Sequence, residues 1–162
     1  MTLLVLSLGS NIDASKNVVS AVNALKKKFG VLSISNIYES ESLGFSGENF
    51  LNFVASVDTN YSLQDIFDYL KKLETRMGRN RDEPRFSDRT IDVDILLYGD
   101  SDGKECGLEL PRPEILYSAF VLRPLAELHP DLKHAKRGVS YKQLWNQFDS
   151  GDQRLWPASI NF

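Results

Sequence analysis

Asp88-Arg89-Thr90-Ile91-Asp92-Val93-Asp94-Ile95-Leu96-Leu97-Tyr98-Gly99 is the stretch on which the fold turns. Apolar and polar residues alternate along 90–98, the period-2 signature of a strand. That period puts Ile91, Val93, Ile95 and Leu97 on one face and Asp92 with Asp94 on the other. Same-face neighbours on a strand lie about 7 Å apart, so the two carboxylates repel each other unless something positive sits between them. An exposed edge strand would also tolerate an isolated pair of this kind. Asp is disfavoured in strands, however, and two on one face need a reason.

Upstream of this strand, Leu63, Ile66, Leu70, Leu73 and Met77 recur at helical spacing. Ser62 with Asp65 three residues on opens that helix, and Gly78 stops it. Two strands precede it. One covers 31–38, and the other begins at Phe50 with Leu51, Phe53, Ala55 and Val57 on one face and Phe50, Asn52, Val54 and Ser56 on the other. Earlier still, Val18, Val22, Leu25 and Phe29 form a helical stripe ended by Gly30, after a run from Leu3 to Leu8 that is apolar except at Ser7. A run of that kind reads as a strand buried on both faces. The order is β-α-β-β-α-β, which predicts an α+β, ferredoxin-like core. Short helices at 120–128 and 140–148 add to it at the C-terminal side, and 1–162 reads as a single domain.

Bulk composition narrows the function. The chain has 162 residues, 42% hydrophobic and 25% charged, with a formal net charge of −3, which are values of an ordinary globular domain. The acidic balance excludes a general electrostatic grip on nucleic acid. The apolar start is too short for a membrane span and lacks a basic leader, so the expected location is the cytoplasm, with no membrane partner. One cysteine, Cys106, allows no disulfide framework or zinc-type set. It reads as an exposed thiol in a turn, while His129 and His134 read as surface residues.

The chemistry concentrates around the aspartate strand. Magnesium takes one or two carboxylates and fills its remaining positions with water and substrate phosphate, which suits Asp92 and Asp94. Two such ions about 4 Å apart fit between a carboxylate pair of this spacing. Arg76, Arg79, Arg81, Arg85 and Arg89 crowd the preceding segment of an otherwise acidic chain. Guanidinium groups match phosphate oxygens bidentately, so this segment reads as a lid over a polyphosphate. A salt-bridged loop is the plainer alternative, because Asp82, Glu83 and Asp88 are interleaved.

Several strings occur in a fixed order: Leu8-Gly9-Ser10-Asn11, Leu43-Gly44 before Phe50-Leu51-Asn52, Glu74 with Gly78-Arg79, Arg89 through Gly99, Leu110-Pro111, and Phe120-Val121-Leu122-Arg123-Pro124-Leu125. The series closely resembles 6-hydroxymethyl-7,8-dihydropterin pyrophosphokinases of folate biosynthesis. The resemblance covers nearly the whole chain and weakens after about Asp131. It implies pyrophosphoryl transfer from ATP to the pterin hydroxymethyl, with release of AMP and use of two magnesium ions; a monomer is the expected form.

By that resemblance, Asp92 and Asp94 bind the metal, and Arg79 and Arg89 assist transfer. Glu74, Arg81, Ile95 and Arg112 fall at the ATP site. Ser40, Leu43, Phe50, Asn52 and Phe120 fall at the pterin site, with the two phenylalanines stacking on the ring and Asn52 reading its polar edge. A flat heterocycle with a donor and acceptor edge is well matched by aromatic faces plus an amide. The sequence departs from the family pattern in places. Arg112 stands where many members carry histidine, Ser118 where arginine is common, Phe86 where tryptophan is frequent, and Glu41 and Ser42 where prolines are common. Arg112 or Arg123 is the expected replacement charge. Rival readings are a divergent pterin-binding relative of low activity, a nucleotidyl cyclase-like enzyme, and an RNA-binding sheet. Two aspartates on a strand would repel the phosphate backbone the last requires.

Overall fold

Strand β1, Thr2–Ser10, lies between two neighbours and organises the sheet. The computed structural model describes residues 1–42, 47–78 and 88–162. Leu4, Leu6 and Leu8 of β1 face one side and pack against Val18, Val22 and Leu25 of α1 (Ala14–Phe29) and Ile66, Leu70 and Leu73 of α2 (Leu63–Arg76). Val5 faces the other side and packs in a second cluster, with Val121, Leu122 and Leu125 of α3 (Ala119–Leu128) and Tyr141 of α4 (Tyr141–Asn146). Covering both faces is what the run Leu3-Leu4-Val5-Leu6 requires, and Ser7 breaks it on the Val5 face. Each fully buried leucine of this kind contributes about 1.5–3 kcal/mol.

The remaining strands are β2 (Ser33–Ile34), β3 (Ile37–Ser40), β4 (Phe50–Thr59), β5 (Asp92–Tyr98) and β8 (Leu155–Ala158), with a small hairpin of β6 (Lys104–Glu105) and β7 (Leu108–Glu109). The main sheet runs β5-β1-β4-β3-β8, with β2 also on β4. Its pairings are antiparallel. With β2 and β3 taken as one interrupted strand, the first four members give the expected ferredoxin-like order, so the α+β reading holds.

Helix boundaries follow the local chemistry. The Ser62 hydroxyl accepts from the Asp65 amide at 3.1 Å and caps α2. Gly30 ends α1 at φ 94°, a conformation open to glycine and strained for other residues.

Four features differ from the sequence reading. The strand expected at 31–38 is split, because Ser35 turns its hydroxyl to accept from the Val54 amide. A register shift between Val5 and Leu6 leaves Leu96 unpaired in β5, so Leu97 joins Leu96 in the cluster under α3 rather than the Ile95 face. The β8 strand was not expected. His134 is not a surface residue: it is 2% exposed, and its Nδ1 accepts from the Lys136 and Arg137 amides at 3.1 and 3.2 Å. His129 is half-buried, with Nε2 2.9 Å from the Ser56 hydroxyl. Cys106 is an exposed thiol in the β6–β7 turn, as its setting suggested.

Candidate active site

The face of the sheet carrying Val5 is apolar only in part. Val5, Val54, Leu96 and Leu97 lie under α3 and α4, but farther along the same strands Ser7, Gly9, Asp92, Asp94 and Phe50 are half-buried. Register explains what meets there. Gly9 pairs with Asp92 on β5 and with Asn52 on β4, and Asn52 pairs with Tyr38 on β3. Asp92, Gly9 and Asn52 thus form one row across three strands, with Asp92 and Asn52 two strand spacings apart, about 10 Å. The next row holds Asp94, Ser7 and Val54. Glycine in the middle of the first row has a steric reason: a Cβ at Gly9 would stand 3.2 Å from Asn52 Oδ1 and 3.9 Å from the Phe50 ring.

Asn52 is buried and oriented by its Nδ2, which donates to the Ser40 hydroxyl at 2.8 Å. That bond joins two residues expected at one ligand and leaves Oδ1 on the Gly9 side. Phe50 lies on the same face of β4 as Asn52. Phe120, in the first turn of α3, packs half-buried against the cluster on this side. Leu43, the other expected contributor, lies outside the described residues.

Two arginines attend the carboxylates. Arg89 is 4% exposed, and its Nε lies 3.6 Å from Asp92 Oδ2. Arg112 Nη2 lies 3.7 Å from Asp94 Oδ1, while its Nε lies 3.3 Å from Glu114 Oε1. Burial and repulsion by Asp92, opposed by the Arg112 charge, push the Asp94 carboxyl up to about 6. The upward direction follows first from burial of the carboxyl and then from the neighbouring acids, while the 32% of the side chain left exposed keeps it in touch with solvent. A cation placed here would reverse it.

Arg89 is held by residues that the sequence reading did not assign. Asn11 accepts from the Arg89 amide at 2.6 Å, donates through Nδ2 to Asp88 Oδ1 at 2.8 Å, and bonds the Glu48 carbonyl at 3.1 Å. The Asn11 and Ile12 amides donate to the Arg89 carbonyl, and the Ser10 hydroxyl donates to the Thr90 carbonyl. The end of β1 therefore pins the segment entering β5. The sequence shows only an amide side chain right after a strand at Asn11; its burial and its partners are properties of the fold.

Other expected residues are placed differently. Glu74 is 1% exposed; its Oε2 accepts from the Val93 amide at 2.9 Å and its Oε1 lies 3.3 Å from Lys71 Nζ. It ties α2 to β5. Ile95 is buried and packs its side chain on the opposite face, under the helices. Arg123 spans Glu127, at 3.3 Å, and the Tyr38 ring, 4.5 Å from its centroid. Of the two arginines expected to replace charge, Arg112 is the one beside the carboxylates. Arg79, Arg81 and Phe86 lie outside the described residues.

A metal would find two carboxylates here and, among the described residues, no group of three or more protein ligands. That donor set fits magnesium, which keeps waters and takes phosphate oxygens, and does not fit a closed zinc-type site.

Comparison with known proteins gives the family. A model of the family described as 7,8-dihydro-6-hydroxymethylpterin-pyrophosphokinase (HPPK) matches residues 5–130. The chain is 35% identical over 136 residues to a 2-amino-4-hydroxy-6-hydroxymethyldihydropteridine pyrophosphokinase of Aquifex aeolicus, covering 83% of this chain and 84% of that protein. It is 37% identical over 131 residues to the enzyme of the same name from Pseudomonas aeruginosa, covering 78% of this chain and 80% of that protein. Among solved structures, the HPPK-DHPS protein of Plasmodium falciparum superposes with a TM-score of 0.72 at 15% identity, over 91% of this chain and 42% of that one. The last comparison speaks for the fold alone. The RNA-binding and cyclase-like readings fall away. Matched over most of its length, the chain belongs to the 7,8-dihydro-6-hydroxymethylpterin-pyrophosphokinase family.

Proposed function

We propose that the face shared by Asp92, Asp94, Asn52 and Phe50 is where ATP and 6-hydroxymethyl-7,8-dihydropterin meet. The chain is a pyrophosphokinase of folate synthesis: it transfers the pyrophosphoryl group of ATP to the pterin hydroxymethyl and releases AMP. The hydroxymethyl oxygen bonds to the β-phosphorus as the bond from that phosphorus to the α-phosphate bridging oxygen breaks.

Asp92 and Asp94 are the residues to hold magnesium, two ions in our reading, which when bound would neutralise triphosphate charge and orient it. The chain's own groups do the rest. Asn52, oriented by Ser40, meets the polar edge of the pterin. Phe50 and Phe120 supply aromatic surface for its ring. Arg89 presents a fixed positive charge to the phosphates, as Arg79 and Arg81 do from the preceding segment. Charge at a transferring phosphoryl group is stabilised best by donors already fixed in place. Glu74 and Ile95 contribute to the ATP side by holding β5 and through its backbone. We take the working form to be a cytoplasmic monomer, for which a free, exposed Cys106 suits a reducing compartment. No helix among the described residues is long and apolar enough to cross a membrane.

The observation that most supports this reading is the row Asp92, Gly9, Asn52, which has a carboxylate and an amide on one face about 10 Å apart. The test is AMP release by the purified protein with magnesium, ATP and the pterin alcohol. Pterin-dependent AMP is expected, and Asp94→Ala should lower its rate by about a hundredfold or more, the scale of lost transition-state charge stabilisation. No AMP above the pterin-free control would contradict it and favour a binding-only relative.

A further inference from the structure

The two arginines on the carboxylates are not equivalent. Arg89 is 4% exposed, has its backbone amide bonded to Asn11 and directs Nη1 to the Asp88 carbonyl at 3.3 Å. Arg112 keeps 30% of its side chain open to solvent. Its backbone is held, since its amide donates to the Leu96 carbonyl at 2.9 Å and Pro111 and Pro113 flank it. A residue before proline is confined to extended conformations, and Arg112 has φ −57° and ψ 129°. The stem is therefore fixed while the guanidinium can change partners.

Its present partners make the change consequential. A guanidinium does not lose its proton in proteins, so Arg112 sets a permanent positive charge against Asp94. A divalent cation on Asp94 would have to displace that charge or suffer its repulsion. Among the described residues that carry these contacts, Asp92, Asp94 and Glu114 face Arg89 and Arg112, so two of the three acidic charges already have a guanidinium against them. Phosphate is also what a released guanidinium binds best, through paired N–H donors.

Resting on the magnesium–ATP reading of the site, we propose that Arg112 occupies Asp94 in the free protein and moves to a nucleotide phosphate when metal and nucleotide arrive. Arg112 is then a binding residue that couples the two ligands. It suppresses metal binding without nucleotide and favours it with nucleotide, a linkage that is reciprocal.

The test measures binding rather than turnover. Manganese, visible by electron paramagnetic resonance, is titrated alone into the wild type, Arg112→Gln and Arg112→Lys. The non-transferring analogue α,β-methylene-ATP is titrated in excess magnesium. Arg112→Gln should bind manganese alone about fivefold or more tighter, and the analogue about fivefold or more weaker, the lower end of ordinary coupling between ligands. Arg112→Lys keeps the charge and should stay close to wild type for manganese alone. A merely structural role would weaken both ligands together. Manganese binding alone that is unchanged or weaker in Arg112→Gln overturns the proposal while leaving the site reading intact. A wild type that binds neither manganese nor the analogue overturns the site reading, and the proposal with it.

Discussion

At the scale of single residues, identity decides more than class. Asp94 and Glu74 are both acids beside β5, yet Asp94 stays one-third exposed in a crowd of charge while Glu74 is buried on the Val93 amide. Sequence alone does not separate these two settings, because burial and backbone partners are tertiary properties. His134 shows the same limit. Burial first, then the Arg137 and Lys136 charges, lower its pKa below the usual histidine value, and its Nδ1 is committed as an acceptor to two amides. The folded state therefore prefers neutral His134, and the unfolded chain takes the proton first as pH falls below about 6.5. His134 stabilises fully above that pH and progressively less toward its lowered folded-state value. Urea midpoints at pH 7.5 and 5.5 for wild type and His134→Asn check this, since Asn keeps an acceptor and does not titrate. The wild type should lose more stability on acidification than the variant. Asp94, raised in the folded state, acts in the opposite direction but equally in both proteins. Equal losses would contradict the account.

At the scale of elements, regular pieces were legible and irregular ones were not. Alternation in β5 correctly put Asp92 and Asp94 together because β1 pairs with it in unbroken register there. The same alternation misplaced Leu97, since nothing in a run of Ile95, Leu96, Leu97 marks a shifted register. Strand β8 escaped notice because four residues that include Pro157 carry too little pattern, and proline is tolerated only on an edge such as this one. The link from β1 to the entry of β5 was likewise hidden, as Asn11 and Arg89 are far apart in sequence. It has a measurable consequence. Asn11→Ala removes the acceptor of the Arg89 amide and leaves buried groups unmet, at a cost of about 2 kcal/mol. Chemical denaturation should show that loss, and Asn11→Asp should lose stability as well, because its second oxygen would face Asp88 Oδ1 and the Glu48 carbonyl where the Nδ2 donor stands. An unchanged midpoint would show that the pin is not needed.

At the scale of the whole molecule, two helical layers of different reach on one sheet create the site. The face under α1 and α2 is closed along its length, and carries Phe53, Ile66 and Val93 in one continuous core. The face under α3 and α4 is covered around Val5 and Leu97 but half-open from Ser7 to Gly9, where the polar row begins. The ferredoxin-like order was readable because element order nearly determines it. The uneven cover was not, because α3 and α4 follow long after the strands they shield. The arginine-rich stretch expected to close over the nucleotide, with Arg79 and Arg81, remains an expectation drawn from sequence. What the sheet does establish is that Asp92 and Asp94 open onto the same surface as Asn52. The most direct measurement is a crystal structure of the protein with magnesium and α,β-methylene-ATP. Expected is metal density joined to an oxygen of Asp92, an oxygen of Asp94 and the phosphates. Bound nucleotide with both carboxylates bare of metal would contradict the account at its centre.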